Sequence, residues 1–169
     1  MFKNLTAKKV LKEVATTALL IFVIANVMSY FRAPKLNSEY LPSITSGLID
    51  KSIFSTKKSK GKPLMVHIWA TWCPVCKVEA SNIQSVSEDF EVITIAVKSG
   101  RDTEIRAYLI EHDLNFKVIN DNMSYHANTF KVAVYPTTFI YDKNGMLRFT
   151  EVGYTSTFML KMKMLYLSL

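Results

Sequence analysis

The chain has 169 residues, enough for one domain with a core of its own. Hydrophobic residues make up 49% and charged residues 21%, which excludes a disordered or compositionally biased chain. The formal net charge of +7 does not indicate nucleic acid: four lysines less one glutamate before residue 14 supply three of those units, and no nucleic-acid-binding motif accompanies the rest.

Residues 1–13 form a basic tail holding Lys3, Lys8, Lys9 and Lys12 against Glu13. Residues 14–31, VATTALLIFVIANVMSYF, carry no charge. As a helix this segment extends roughly 27 Å, close to the hydrocarbon thickness of a bilayer. The basic flank places the N-terminus in the cytoplasm and everything after Arg32 across the membrane. A cleaved signal peptide shares this beginning, but the apolar run is long for one and no A-x-A site follows it, so a retained transmembrane anchor is expected.

Residues 32–40 read as a linker, and residues 41–169 as the folded domain. Leu48–Ile49 and Ile53–Phe54 suggest a minor hairpin. The run LMVHIW at 64–69 is a strand covered on both faces. Helical spacing follows over 74–90, then a second buried strand over 91–97. A helix capped by Asp102 runs to about residue 113, a short strand covers 116–119, and a helical stretch covers 123–130. Strands at 137–141 and 146–152 flank DKNG, whose Asn144-Gly145 suits a tight turn with positive φ. Thr155 or Ser156 caps a last helix ending near Leu167. Parallel strands first and an antiparallel hairpin last describe an α/β sheet with helices on both faces.

Residues 69–77, WATWCPVCK, contain the only two cysteines. A structural zinc site needs four ligands, and two cysteines with three scattered histidines offer no second pair at ligand spacing. Haem attachment needs histidine where Lys77 stands, and a structural disulfide across two residues closes too short a loop to stabilise much. A redox pair has a specific basis. Cys73 lies where strand meets helix, so its sulfur faces unpaired N–H groups and the positive helix end, which favour thiolate. Cys76, one turn on, lies deeper and is placed to attack a mixed disulfide. Pro74 suits the first helical position, and Trp69 and Trp72 flank the pair and shield it from bulk water.

WATWCPVC followed by YPTTF at 135–139 resembles the thioredoxin superfamily over residues 40–169. The resemblance implies a thioredoxin-like fold, a central mixed sheet with helices on both faces, here preceded by one transmembrane helix. It also implies that Pro136 is cis and faces Cys73 and Cys76, with Trp72, Tyr135 and Pro136 contacting substrate. The anchor, CPVC and Glu79 resemble the TlpA-like and cytochrome c maturation thioredoxins. The closing FTEVGYTSTFMLKMKMLYL is similar to a narrower group, the membrane-anchored suppressor-of-copper-sensitivity protein D. That group implies thiol–disulfide exchange on protein substrates in the periplasm of a bacterium, at the inner membrane, with copper tolerance as context. The TlpA-like resemblance leans towards a reductant recharged by a membrane thiol carrier. No cofactor, metal or nucleic acid is expected.

One position departs from the family. Thioredoxins carry a buried Asp six residues before the first cysteine, and here that position is His67. Strand alternation puts His67 on the face of Met65 and Trp69. It is either a core histidine bonded to backbone or a neutral base that accepts the Cys76 proton. Glu79 is the other acid–base candidate, against a solvated first-turn carboxylate. The same fold serves oxidants near −120 mV, isomerases, and reductants near −270 mV, a spread of roughly 7 kcal/mol that no single residue settles. Two other classes stay open: a copper-binding protein using soft ligands such as Met159, Met162 and Met164, and an interaction module with incidental thiols.

Overall fold

The structure, a computed structural model, describes residues 7–59 and 61–169, apart from the side chains of residues 7, 8, 18, 22, 25–32 and 58. The chain divides into two compact units, one ending at Arg32 and the other running Ala33–Leu169. In the first, helix α1 (Ala7–Arg32) rises about 39 Å at 1.5 Å per residue. The hydroxyls of Thr16 and Thr17 donate to the carbonyls of Lys12 (2.7 Å) and Glu13 (2.8 Å), so the helix itself absorbs their polarity. Val10, Leu11, Val14, Leu19, Leu20, Ile21, Val23 and Ile24 are exposed, at positions that go all round its circumference. Among the described residues no helix is long and apolar enough to cross a membrane. Lys3 of the basic tail, and the side chains of residues 25–31 of the expected anchor, lie outside the described residues.

The second unit is built on a five-stranded sheet in the order β5-β4-β3-β6-β7. Its strands are β3 (Leu64–Trp69), β4 (Val92–Val97), β5 (Val118–Asp121), β6 (Thr137–Tyr141) and β7 (Leu147–Val152). β3, β4 and β5 pair parallel, whereas β6 lies antiparallel to β3 and to β7. The connections are α2 (Pro74–Asp89), α3 (Asp102–Glu111) and α4 (Tyr125–Thr129), and α5 (Thr157–Ser168) closes the chain. A small hairpin, β1 (Thr45–Gly47) with β2 (Ile53–Ser55), precedes them.

Two successive right-handed crossovers step the same way along the sheet, so α2 and α3 fall on one face. There Ile83 and Val86 of α2, Ile105 and Leu109 of α3, and Leu160 and Met164 of α5 pack with Met65, Trp69 and Ile140. The other face buries Val66, Ile68, Ile93, Ile95 and Phe139 beneath Phe130, Phe54 and Leu48. This is the mixed sheet covered on both faces that the sequence implies.

Several boundaries differ from expectation. The first hairpin strand is residues 45–47, because Leu48 and Ile49 enter the turn and insert into opposite faces of the sheet. The N-cap of α3 is Arg101, whose N–H donates to the Glu104 carboxylate at 2.6 Å, and Asp102 is already helical. The strand expected at 116–119 begins at Val118, since pairing starts at Thr94↔Val118, while Phe116 packs in the core ahead of it. α4 covers only residues 125–129, preceded by Ser124 at φ 59°. In the last hairpin only Gly145 takes positive φ (78°), and the Asp142 carboxylate accepts the N–H groups of Asn144 (2.9 Å) and Met146 (3.0 Å). Ser156, not Thr155, caps α5.

Candidate active site

The end of β3 delivers Cys73 to the N-cap of α2, with Pro74 next in the first turn. The Cys73 sulfur accepts the N–H of Cys76 at 3.2 Å, one of the donors a helix start leaves unpaired. Both cysteines are free thiols. Cys73 is 5% exposed and Cys76 1%, so the first thiol is nearly sealed rather than open, and the second is the deeper, as expected. Burial, reinforced by its interaction with Cys73, pushes the Cys76 thiol well above its ordinary pKa.

The Tyr135–Pro136 peptide is cis, as the resemblance implies. It brings the Tyr135 carbonyl to 3.7 Å from the Cys73 sulfur, where the thiol proton points. Trp72 is 56% exposed; its indole N–H donates to the Lys98 carbonyl at 3.1 Å, and its ring meets Tyr135 edge-on at 5.7 Å. Trp72 and Tyr135 thus form a rim beside the thiol. Trp69 lies under the site instead, 5.4 Å from the ring of Tyr108 and 5.7 Å from that of Phe116.

Glu79 is completely buried, which overturns the solvated-carboxylate alternative. The segment leading into α5 covers it. Asn82 donates to the Thr155 carbonyl at 2.9 Å and accepts from the Thr157 hydroxyl at 2.8 Å. The Thr155 N–H in turn donates to Glu79 Oε1 at 2.8 Å. Oε2 has no partner among the described residues. Burial, only partly offset by the Thr155 N–H, raises the Glu79 carboxyl from 4.5 to about 8. Its charge is felt at Cys76.

His67 sits mid-strand between two threonines, in register with Thr94 on β4 and Thr138 on β6. Its Nδ1 lies 2.8 Å from the Thr138 hydroxyl, a side-chain partner rather than the backbone one expected of a core histidine. Burial lowers it from 6.5 to about 3, so the imidazole is neutral throughout the physiological range. The sequence places a turn at 99–101 and offers Thr155 as a helix cap, but it assigns no part in the site to Thr138, Thr155 or Asn82, which hold the two acid–base candidates, nor to the Lys98–Ser99 turn. That turn was accessible to the rule that ligands gather where parallel strands end; the others had no local signal.

Among the described residues no group of three or more His, Cys, Asp or Glu is placed to hold a metal ion. Met159 and Met162 are exposed on α5, while Met164 is in the core, so the three thioethers do not converge.

A CxxC at the start of a helix, opposite a cis proline on a mixed sheet, defines a thioredoxin-like thiol–disulfide oxidoreductase. Residues 38–150 match the AhpC/TSA family, and the chain belongs to it. A protein of Haemophilus influenzae named "Thioredoxin-like protein" is 28% identical over 161 residues, covering 94% of this chain and 95% of that one. The thiol:disulfide interchange protein DsbE of Vibrio cholerae is 33% identical over 115 residues, 63% of this chain. The chain spans about half of that relative (55%). Among solved structures, a secreted thiol-disulfide isomerase from Corynebacterium glutamicum shares the fold with a TM-score of 0.70 at 18% identity, covering 76% of this chain and 84% of that one.

Proposed function

We propose that this protein is a membrane-anchored, extracytoplasmic reductase of protein disulfides. The observation that carries the reading is the Cys73 sulfur held between the Cys76 N–H and the Tyr135 carbonyl beside cis-Pro136. The form that attacks in thiol–disulfide exchange is the thiolate, and Cys73 is the sulfur we assign to that role. Attack on a substrate disulfide forms a Cys73–substrate bond and releases one substrate thiolate, which takes a proton. Cys76 then gives up its proton and attacks the Cys73 sulfur. The internal disulfide forms, the second substrate thiol leaves, and two electrons have passed to the substrate. Trp72, Tyr135 and Pro136 border the thiol and would contact the substrate chain on either side of its disulfide.

The slow proton is the one on Cys76, because burial holds it there. Glu79 suits the acceptor role better than His67. A carboxylate brought to about 8 is a base matched to neutral pH, whereas an imidazole brought to about 3 is too weak to hold the proton. His67 acts through its bond to Thr138, tying the strand that leads to Cys73 to the strand that follows Pro136.

α1 supports the anchor reading: its described apolar side chains go all round, and its threonine hydroxyls are satisfied within the helix. A reductant in an oxidising compartment needs electrons from inside the cell, so a membrane thiol carrier is the partner we assign. Copper stress is the physiological context the sequence resemblance suggests. Thiol trapping in cells tests the proposal. Cys73 and Cys76 of the native chain should be recovered reduced, and Cys76→Ala should accumulate mixed disulfides through Cys73. Recovery of the pair as a disulfide would reverse the direction, and adducts forming equally in Cys73→Ala would sink the assignment.

A further inference from the structure

The last helix has two apolar faces. Leu160, Met164 and Leu167 of α5 are buried against the sheet. Opposite them Phe158, Met159, Met162, Leu165 and Tyr166 are 41–70% exposed, at positions falling within about a third of the helix circumference at 100° per residue, and Leu169, the cap residue just past the helix, is 92% exposed. Four of them, Phe158, Met162, Leu165 and Leu169, are spaced four, three and four residues apart, the spacing of a helix–helix seam. Among the described residues of this unit none covers the outer side of this stripe, and the six residues include none of Trp72, Tyr135 and Pro136 that border Cys73.

We propose that α5 is a homodimer interface, packed against α5 of a second copy of this chain. Exposed apolar patches of monomeric proteins rarely exceed a few hundred Å². At roughly 200 Å² for a whole large side chain, these six offer on the order of 700 Å² per copy. A pair burying most of that removes on the order of 1,000 Å², which is where specific interfaces begin. The flanks argue for protein over lipid. Helices that lie on membranes present free basic residues beside the apolar face. Here Lys161 is paired with Asp89 at 2.6 Å and Lys163 with Glu151, and Arg148 near Tyr166 and Leu169 is paired with Asp142, which leaves Lys143 as the one cation beside the stripe with no ion pair among the described residues, too few for a basic membrane-binding edge. Edges whose other cations are each paired with an anion pose little net repulsion between copies. The spacing also gives a two-fold pair the same residues on both sides, as an isologous contact needs. Confinement of both copies to one bilayer raises their effective concentration, so a modest seam suffices.

The test uses the full-length chain in native membranes, with a photoreactive benzoylphenylalanine in place of Met162. A crosslinked product of twice the chain mass is expected, and Leu165→Glu in the same chain should lower its yield at least tenfold. In detergent the full-length chain should sediment as a dimer, and the Leu165→Glu chain as a monomer that still reduces disulfides through Cys73, which shows that it folds. A crosslink only to lipid or to a different protein overturns the proposal. So does a dimer that persists with Leu165→Glu, because the contact would then lie elsewhere, or an absence of any crosslink while Cys73 remains reactive.

Discussion

Glu79→Gln replaces a carboxyl group that the fold holds out of water by an amide of the same shape. The native state keeps the proton on Glu79 up to about pH 8, whereas the unfolded chain releases it near 4.5. Between those values the native state binds more protons, so stability falls as pH rises and the loss is complete above about 8. At 1.36 kcal/mol per pH unit, the interval amounts to on the order of 4–5 kcal/mol, a large part of the roughly 5–15 kcal/mol that holds a domain folded. The glutamine cannot ionise and carries none of this. It retains an acceptor for the Thr155 N–H, and its NH2 replaces the unpartnered Oε2. An orphaned NH2 adds an offset of about 1–3 kcal/mol that does not vary with pH. The slope is therefore the quantity to read. Urea denaturation of reduced unit Ala33–Leu169 from pH 5 to 9 should show Glu79→Gln gaining on the native sequence by several kcal/mol towards high pH. Stopped-flow resolution of a Cys73 mixed disulfide should accelerate through about pH 8 in the native sequence and lose that limb in the variant. Denaturation curves that run parallel from pH 5 to 9, with an unchanged rate profile, would refute both the burial argument and the proton-acceptor role.

The acid side belongs to His67. Its folded-state pKa is depressed to about 3 from 6.5, so stability is lost as pH falls below 6.5, by on the order of 4–5 kcal/mol by pH 3. His67→Leu should abolish that acid dependence while costing about 1–3 kcal/mol at every pH, because the Thr138 hydroxyl loses its partner. An acid slope identical in both proteins, measured by denaturation at pH 4 and 7, would show that His67 is not the group responsible. For the anchor, alkaline carbonate should leave the chain in the membrane fraction, and a C-terminal reporter should be active only outside the cytoplasm. A shortened species beginning near residue 30 would mean cleavage instead.

Local chemistry was legible in the sequence. CPVC after a buried strand places a thiol at a helix start, a short-range property of backbone geometry at those residues, whereas the cis proline opposite it was implied only by the family resemblance that YPTTF carries. The buried strands at 64–69 and 91–97 and the helix after Pro74 were legible as unbroken or 3.6-periodic apolar patterns. What lay beyond reach depended on what packs against a residue. Phe116 looks like strand, yet the strand begins at Val118 because pairing with β4 sets its register. Glu79, the sixth residue of α2, reads as a solvated carboxylate until the chain at Thr155 covers it, seventy-six residues away in sequence. His67 acquires its partner only when β6 pairs antiparallel to β3 and sets Thr138 beside it. The apolar residues of α5 look alike in sequence; docking on the sheet is what buries Leu160, Met164 and Leu167 and leaves the opposite stripe in water. Local geometry determined which thiol stands at the helix start, and tertiary burial, through removal of solvent, decided which groups resist charge and which surface is left exposed.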